Sequence, residues 1–208
     1  MNYSVEPLHR FSDDLAARLP APGGGAAAAL VGSLAAALNS MVCNFTAGNE
    51  RYKAVELQIS ELLKSSEELR VELLGLLQAD VDGYSAYSAG IKELKTSPLT
   101  DSEKDARREE LTKQASATPL KVMRASAKVL AICKPLYANG NPLLLSDVEV
   151  AAVFALAALK AAFVNVRINL AYSKDEAFKS LIRREAEAFL FEAERIEKDV
   201  TGYCGSKY

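Results

Sequence analysis

The chain has 208 residues, of which half are hydrophobic and a quarter are charged, and its formal net charge is −2. This length can bury a substantial core, so we expect a single domain over residues 1–208. The charge balance gives no basic footprint of a nucleic-acid binder. The three cysteines are far apart, without a Cys-x-x-Cys, so they suggest neither a disulfide framework nor a zinc site and fit a reducing cytoplasm. The N-terminus shows no basic region followed by an apolar region, so we expect no secretory signal there and a cytoplasmic protein, as the cysteines suggest.

The first predicted elements are a short amphipathic helix from Val5 to Leu19 and a long uncharged helix that ends near Thr46. Two prolines and three consecutive glycines separate them, because both residue types interrupt a helix. The second helix is rich in alanine, and its small residues share one face: Gly25, Ala29, Gly32, Ala36, Asn39, Cys43 and Thr46. Bulkier apolar residues occupy its other sides, so we expect a helix buried all round at the centre of the fold and no membrane span.

A long helix is predicted next, from about Tyr52 to Glu93. Leucines and tyrosines occupy one face of it. A second face carries small residues and one carboxylate: Gly75, Ala79, Asp82, Ala86 and Ala89. The polar segment 95–117 is interpreted as a loop followed by a solvated helix, without chemistry of its own.

The C-terminal part of the chain predicts three further helices. The first begins at Pro119, since proline is tolerated at a first helical position, and ends near Tyr137. The second opens at a capping box formed by Ser146 and Glu149 and runs to about Tyr172. Small residues that end in two amides share one face of it: Ala151, Ala155, Ala158, Ala162, Asn165 and Asn169. The third covers 175–200. No segment alternates with period two, so the predicted fold class is an all-α multihelical bundle.

Polar groups embedded in the small-residue faces are the first candidates for function. Asp82, Asn39, Asn165 and Asn169 need hydrogen-bond partners if they are buried. These partners are either neighbouring helices or a ligand, and Asp82 is either solvated or held in an apolar site. Asp147 follows the capping serine, where a carboxylate is also favoured by the helix dipole.

The glycine run and the single histidine narrow the chemistry further. Gly23, Gly24 and Gly25 either expose N–H groups for an anion or polar heterocycle, or form a tight turn between close helices. His9 is the only histidine and lies in a predicted surface helix, which argues against histidine-based triads and di-iron sites. Acid–base work would therefore fall to carboxylates.

At this point the sequence resembles a known family. Pro20-Ala-Pro-Gly-Gly-Gly25, the alanine helix and Met41-Val-Cys-Asn-Phe-Thr46 are similar to the opening of the cyclodeaminase/cyclohydrolase family of folate enzymes. Later motifs follow in the same order over nearly the whole chain: Asp82-Gly-Tyr84, Gly140-Asn141, Ser146-Asp147 and Asn165-Val-Arg-Ile-Asn169-Leu.

The resemblance implies an intertwined helical homodimer that acts on the one-carbon bridge of tetrahydrofolate. The implied activity is formimidoyltetrahydrofolate cyclodeaminase or methenyltetrahydrofolate cyclohydrolase, with no metal or redox cofactor. If the reaction is the deamination, a separate formiminotransferase is an expected partner.

The resemblance also implies roles for individual residues. Asp82 and Asp147 become the acid–base candidates, and Gly23 to Gly25 become backbone donors at the substrate. The implied substrate contacts also include Asn39, Asn141, Asn165 and Asn169. Where the family has a lysine-rich step, this chain has Asn49-Glu50-Arg51, so Arg51 is the candidate cation for the folate glutamate tail. A catalytically silent dimer and a folate-binding or channelling partner stay open as alternatives.

Overall fold

The computed structural model of the protein describes residues 1–207. Over these residues the chain forms six α-helices and no strand, which confirms the all-α prediction. The helices are α1 (Leu8–Ala16), α2 (Gly24–Thr46), α3 (Glu56–Thr96), α4 (Asp101–Asn139), α5 (Leu145–Tyr172) and α6 (Glu176–Gly205). Short 3-10 helices cover Glu50–Val55 and Pro142–Leu144.

Helix α2 packs against α3, α4 and α5 and forms the centre of the bundle. All seven residues of its predicted small-residue face are buried, because these neighbours approach its backbone closely. A side-chain carbon at Gly32, for example, would lie 3.1 Å from both Leu73 Cδ2 and Ser126 Oγ. Within a single chain the predicted burial all round is wrong, since Leu34 is 44% exposed and Phe45 is 62% exposed on a side that no other helix of residues 1–207 covers.

Helix α3 buries the leucine face that the sequence predicts, including Leu73 and Leu77. Its predicted small-residue face does not pack against a helix, because Gly75, Ala86 and Ala89 are exposed. Small residues on α3 therefore mark a solvent face, whereas small residues on α2 mark a close helix contact.

Helix α4 is one continuous helix of 39 residues, so the predicted helix start at Pro119 is wrong. The helix begins at a capping box instead, in which Glu103 accepts the backbone N–H of Thr100 and the Thr100 hydroxyl accepts the N–H of Glu103. The helix then passes through both Pro119 and Pro135. Packing against α2, α3, α5 and α6 holds it together across these prolines.

Helix α5 begins one residue before the predicted capping box, and that box does not form. Ser146 lies inside the first turn because the 3-10 helix before it leads directly into α5. The side chain of Asn141 caps this 3-10 helix by accepting the N–H of Leu143 at 3.1 Å. The small-residue face of α5 is buried as predicted at Ala151, Ala155, Ala158 and Ala162.

Helices α2 and α5 run antiparallel. The backbone N–H of Asn141, just before α5, donates to Thr46 Oγ1 at the end of α2 at 3.0 Å. At the other end, Gly24 at the start of α2 lies beside Asn165 near the end of α5. The candidate residues of these two helices therefore lie in two groups at opposite ends of the bundle, one near Gly24 and Asn165 and the other near Thr46 and Asn141.

Two segments have the length and apolar composition of a membrane span, namely α2 and Pro142–Tyr172. The apolar window of α2 is 61% buried within the protein, and that of the second segment is 44% buried. Burial of the small face of α2 against three helices is typical of a core helix.

Candidate active site

A cavity of about 560 Å³ lies where the start of α2 meets the later half of α3, the middle of α4 and the end of α5. The glycine run forms one wall of it. The other walls carry one carboxylate, two amides, a hydroxyl and three phenol rings: Asp80, Asn165, Asn169, Thr118, Tyr84, Tyr87 and Tyr172. Of the lining residues, all within 1–207, Asp80 alone carries a charge.

Asp80 lies half-buried against the first turn of α2. This turn has no capping side chain of its own, because its N-cap residue is Gly23. The free N–H groups and the positive end of the helix dipole favour a negative charge there, and Asp80 supplies it from α3. Burial raises the pKa of Asp80, and the backbone amide of Ala26 partly opposes this shift by stabilising the ionised form.

Asn165 and Asn169, like Asp80, offer hydrogen-bond acceptors to the cavity. Asn165 donates its Nδ2 to the carbonyl of Ala161 at 3.0 Å, and Asn169 donates its Nδ2 to the carbonyl of Ala115 at 2.9 Å. In each amide the carbonyl oxygen is left to accept a bond from a ligand. Together with the Asp80 carboxylate, the cavity therefore offers acceptors, which suits a ligand that is cationic or rich in N–H donors.

The wall formed by α4 is fastened to the end of α5 by polar contacts. Ser173 donates to Glu109, and the backbone N–H of Lys174 donates to the same carboxylate at 2.7 Å. Lys113 reaches Asp175 at 2.6 Å. These contacts close the connection after α5 onto α4 and so hold Tyr172 at the cavity.

The structure brings five of the ten predicted site residues together at the cavity: Gly23, Gly24, Gly25, Asn165 and Asn169. It does not bring Asp82 there. Asp82 is exposed on α3 and accepts a hydrogen bond from Gln78 at 2.8 Å. Two residues along an α-helix turn the side chain by roughly 200°, so Asp80 and Asp82 face nearly opposite ways.

Three more predicted residues lie at the opposite end of the bundle. Arg51 is exposed in the 3-10 helix that follows α2, and α2 with its 23 residues is about 34 Å long. Asn141 accepts from the Tyr52 hydroxyl at 3.3 Å at that same end. Asp147 lies in the first turn of α5, about 27 Å along the helix from Asn165.

Asn39 is a core residue rather than a cavity residue. Its side chain is fully buried and donates to the carbonyl of Val129 at 2.9 Å, and it accepts from the Cys133 thiol at 3.3 Å. Burial raises the pKa of Cys133 to about 12 and that of Cys43 to about 11, so both thiols are fully protonated. The third cysteine, Cys204, is also buried.

Sequence reasoning missed Asp80, although a signal for it exists. Leu73, Leu77, Tyr84 and Tyr87 share one face of α3, and Asp80 fills the gap in that spacing. This face is buried at the two leucines and lines the cavity at the two tyrosines. An acidic residue that interrupts an apolar face is the pattern of a buried functional carboxylate. Within residues 1–207 no group of three or more His, Cys, Asp or Glu side chains could hold a metal ion.

Comparison with known proteins identifies the class of protein to which this fold and cavity belong. The model of the formiminotransferase-cyclodeaminase family matches residues 7–188, so the chain belongs to this family.

Individual relatives fall into two groups by name. The methenyltetrahydrofolate cyclohydrolase of Methylorubrum extorquens is 36% identical over 205 residues, which cover 97% of each chain. The formimidoyltransferase-cyclodeaminase of Rattus norvegicus is 32% identical over 89% of this chain but only 34% of its own length. The crystal structure of formiminotetrahydrofolate cyclodeaminase from Thermotoga maritima superposes with a TM-score of 0.89 at 29% identity, over 98% of both chains.

Proposed function

We propose that this protein is a folate enzyme that acts on the one-carbon bridge of tetrahydrofolate, with methenyltetrahydrofolate cyclohydrolase as its first candidate activity. The observation that carries this proposal is the cavity, in which Asp80 is the only charged lining group within the described chain. The 36% identity to a cyclohydrolase over nearly all of both chains supports the choice of reaction.

The charge of the cavity fits the substrate of this reaction. The methenyl bridge is an amidinium, so its positive charge is shared between two nitrogens. A single carboxylate without a competing cation favours such a ligand in a partly desolvated site. The free amide oxygens of Asn165 and Asn169 are suited to the N–H and amino groups of the pterin ring.

Asp80 has the properties that the two proton transfers require. Water attacks the methenyl carbon, a carbon–oxygen bond forms, and the ionised Asp80 accepts a proton from that water. The protonated Asp80 then gives a proton to the pterin N5 as the bond between carbon and N5 breaks. The hydroxyl proton leaves to solvent, and the product is 10-formyltetrahydrofolate. A carboxyl whose pKa is raised by burial is a better acid for the second step near neutral pH.

Formimidoyltetrahydrofolate cyclodeaminase is the second candidate activity, because the Thermotoga maritima cyclodeaminase shares the fold with a TM-score of 0.89. In that reaction the anilino nitrogen attacks the formimino carbon and ammonia leaves. Asp80 would accept the proton of the attacking nitrogen and return one to the departing ammonia. A separate formiminotransferase would then supply the formimino substrate.

We also propose a homodimer, since two helices expose apolar stripes. On α2 the stripe consists of Leu30, Leu34, Leu38, Met41 and Phe45, and α2 contains no charged residue. On α5 it includes Val150, Val153, Val164 and Ile168, each more than 40% exposed. Exposed apolar stripes of this length are typical of a surface that pairs with another protein, and a second copy is the occupant that the family resemblance implies.

The ultraviolet absorbance of the methenyl ring tests the proposed activity. Purified protein is mixed once with methenyltetrahydrofolate and once with 5-formimidoyltetrahydrofolate. Loss of the absorbance above the spontaneous rate identifies the cyclohydrolase, and its appearance with ammonia release identifies the cyclodeaminase. Folate binding without turnover would favour a binding or channelling protein, and neither binding nor turnover would favour a catalytically silent dimer.

A further inference from the structure

The three consecutive glycines are not equivalent in the structure. Gly23 has open space where a side chain would be, and at Gly24 the nearest atom is Asn165 Nδ2 at 3.9 Å. At Gly25 the space is filled by the Asp80 carboxylate. A side-chain carbon there would lie 2.6 Å from Asp80 Cγ and 2.7 Å from Oδ2, and closer still to Oδ1.

Backbone conformation does not explain a glycine at this position. Gly25 lies inside α2, and among the described residues Gly48 is the only glycine with a positive φ. Alanine is a better helix former than glycine, so glycine at position 25 weakens the helix by itself. The remaining reason for glycine is therefore the space that it leaves.

We propose that Gly25 is a positioning residue, whose missing side chain admits the Asp80 carboxylate to the first turn of α2. This inference rests on the proposed role of Asp80. The backbone of Asp80 is fixed because Leu73 and Leu77, on the same face of α3, are fully buried in the core. An added methyl group at Gly25 leaves the carboxylate only one response, which is to rotate away from the helix start and toward water.

The chemical consequence falls on Asp80 rather than on the stability of the fold. The atoms in the way all belong to the Asp80 carboxylate and not to the backbone, and this group can turn about its side-chain bonds, so the bundle accommodates alanine at Gly25 with little change. The displaced carboxylate loses both its shielding from water and the nearby Ala26 amide. Since burial is the larger of these two influences, the pKa of Asp80 falls toward its ordinary value.

Gly25→Ala, with Gly75→Ala as the matched control, tests this inference. Gly75 is an exposed helical glycine with open space around it. We expect Gly25→Ala to lower kcat for the folate substrate by about 100-fold with little change in KM, as a misplaced catalytic group does. Gly75→Ala should retain wild-type kcat. Wild-type kcat in Gly25→Ala would overturn the inference.

A second measurement separates this inference from the proposed function. The Asp80 carboxyl is titrated by carbon-13 NMR in the wild type and in Gly25→Ala. A lower pKa in the variant supports the displacement even if the protein has no folate activity, and an unchanged pKa overturns it. If Gly25→Ala does not fold, Gly25→Ala combined with Asp80→Ala decides the matter. A folded double variant supports the steric relation, and an unfolded one contradicts it.

Discussion

Asn169 donates its side-chain Nδ2 to the carbonyl of Ala115 at 2.9 Å, across the contact between α5 and α4. In a regular helix that carbonyl would accept the backbone N–H of residue 119. Residue 119 is proline and has no N–H, so Asn169 replaces the missing donor. The Asn169 amide therefore both lines the cavity and satisfies the Ala115 carbonyl of α4, in another wall of the cavity.

Replacement of Asn169 by alanine should destabilise the protein by about 1–3 kcal/mol, because the Ala115 carbonyl loses its partner. Urea unfolding measures this change. Pro119→Ala restores a backbone donor, so Asn169→Ala should cost less in that background. Asn165→Ala is the control, since the Ala161 carbonyl keeps the N–H of residue 165 as its regular helical partner. If Asn169→Ala lowers the free energy of unfolding equally in the wild type and in Pro119→Ala, Asn169 does not replace the backbone donor that Pro119 lacks.

Asp80→Asn should reduce turnover of the folate substrate by about 100-fold or more, as loss of a general acid–base does. Asp82→Asn should retain activity, since Asp82 is exposed and faces away from the cavity. The assay is the methenyl absorbance. The opposite ranking of the two variants would return the catalytic role to Asp82, as the family resemblance implies.

The stability of Asp80→Asn should depend on pH. Burial raises the pKa of Asp80 in the folded protein, so the folded protein binds the carboxyl proton more tightly than the unfolded chain does. The contribution of the Asp80 carboxyl to the free energy of unfolding is fully present below its pKa in the unfolded chain, about 4. This contribution is lost as the pH rises through the pKa in the folded protein. Asp80→Asn should therefore gain stability relative to wild type as pH rises from 4 to 7. Thermal unfolding across that range checks it, and a constant difference would contradict it.

Asn39→Ala should destabilise the protein by about 1–3 kcal/mol and leave KM for the folate substrate unchanged. Its amide is fully buried between α2 and α4, so the Val129 carbonyl would lose a donor and the Cys133 thiol would lose the nearer of its two acceptors. Asn44→Ala is the control, because Asn44 is exposed on the same helix. A raised KM at full stability would restore the substrate contact that the family resemblance implies.

Phe45→Asp should convert the proposed dimer to monomers, because it places a charge on the exposed stripe of α2. Phe191→Asp is the matched control, since Phe191 is 74% exposed on α6, which packs on α4 and α5. Sedimentation velocity distinguishes the two species. A wild-type monomer, or equal effects of both variants, would contradict the proposed interface.

The sequence predicts the helices well where one physical signal dominates. The small face of α2 and the alanine face of α5 are buried as predicted, because only small residues allow such close approach. Prediction failed where tertiary contacts override a local signal. The Pro119 helix start is the clearest case, since packing and the Asn169 amide support an unbroken α4.

The sequence identifies part of the cavity lining. Gly23 to Gly25, Asn165 and Asn169, which the family resemblance implies as substrate contacts, line one cavity, and their roles there stay predictions. The choice of Asp82 over Asp80 rests on the family motif Asp82-Gly-Tyr84 and on the small residues around Asp82, which face solvent in the structure. Asp80 and Asp82 differ only in the side of α3 on which they lie. Which side faces inward is decided by the packing of Leu73 and Leu77 in the core.

The burial of Cys43, Cys133 and Cys204 has a practical consequence for experiments on this protein. Burial raises the pKa of each of these thiols. Shielded thiols of raised pKa react slowly with maleimides, because the thiolate is the attacking species. A single cysteine introduced on the surface would therefore carry nearly all of an added fluorophore. Tyr172, which is 65% exposed at the cavity, is a suitable position, so the native protein already provides the silent background that such labelling needs.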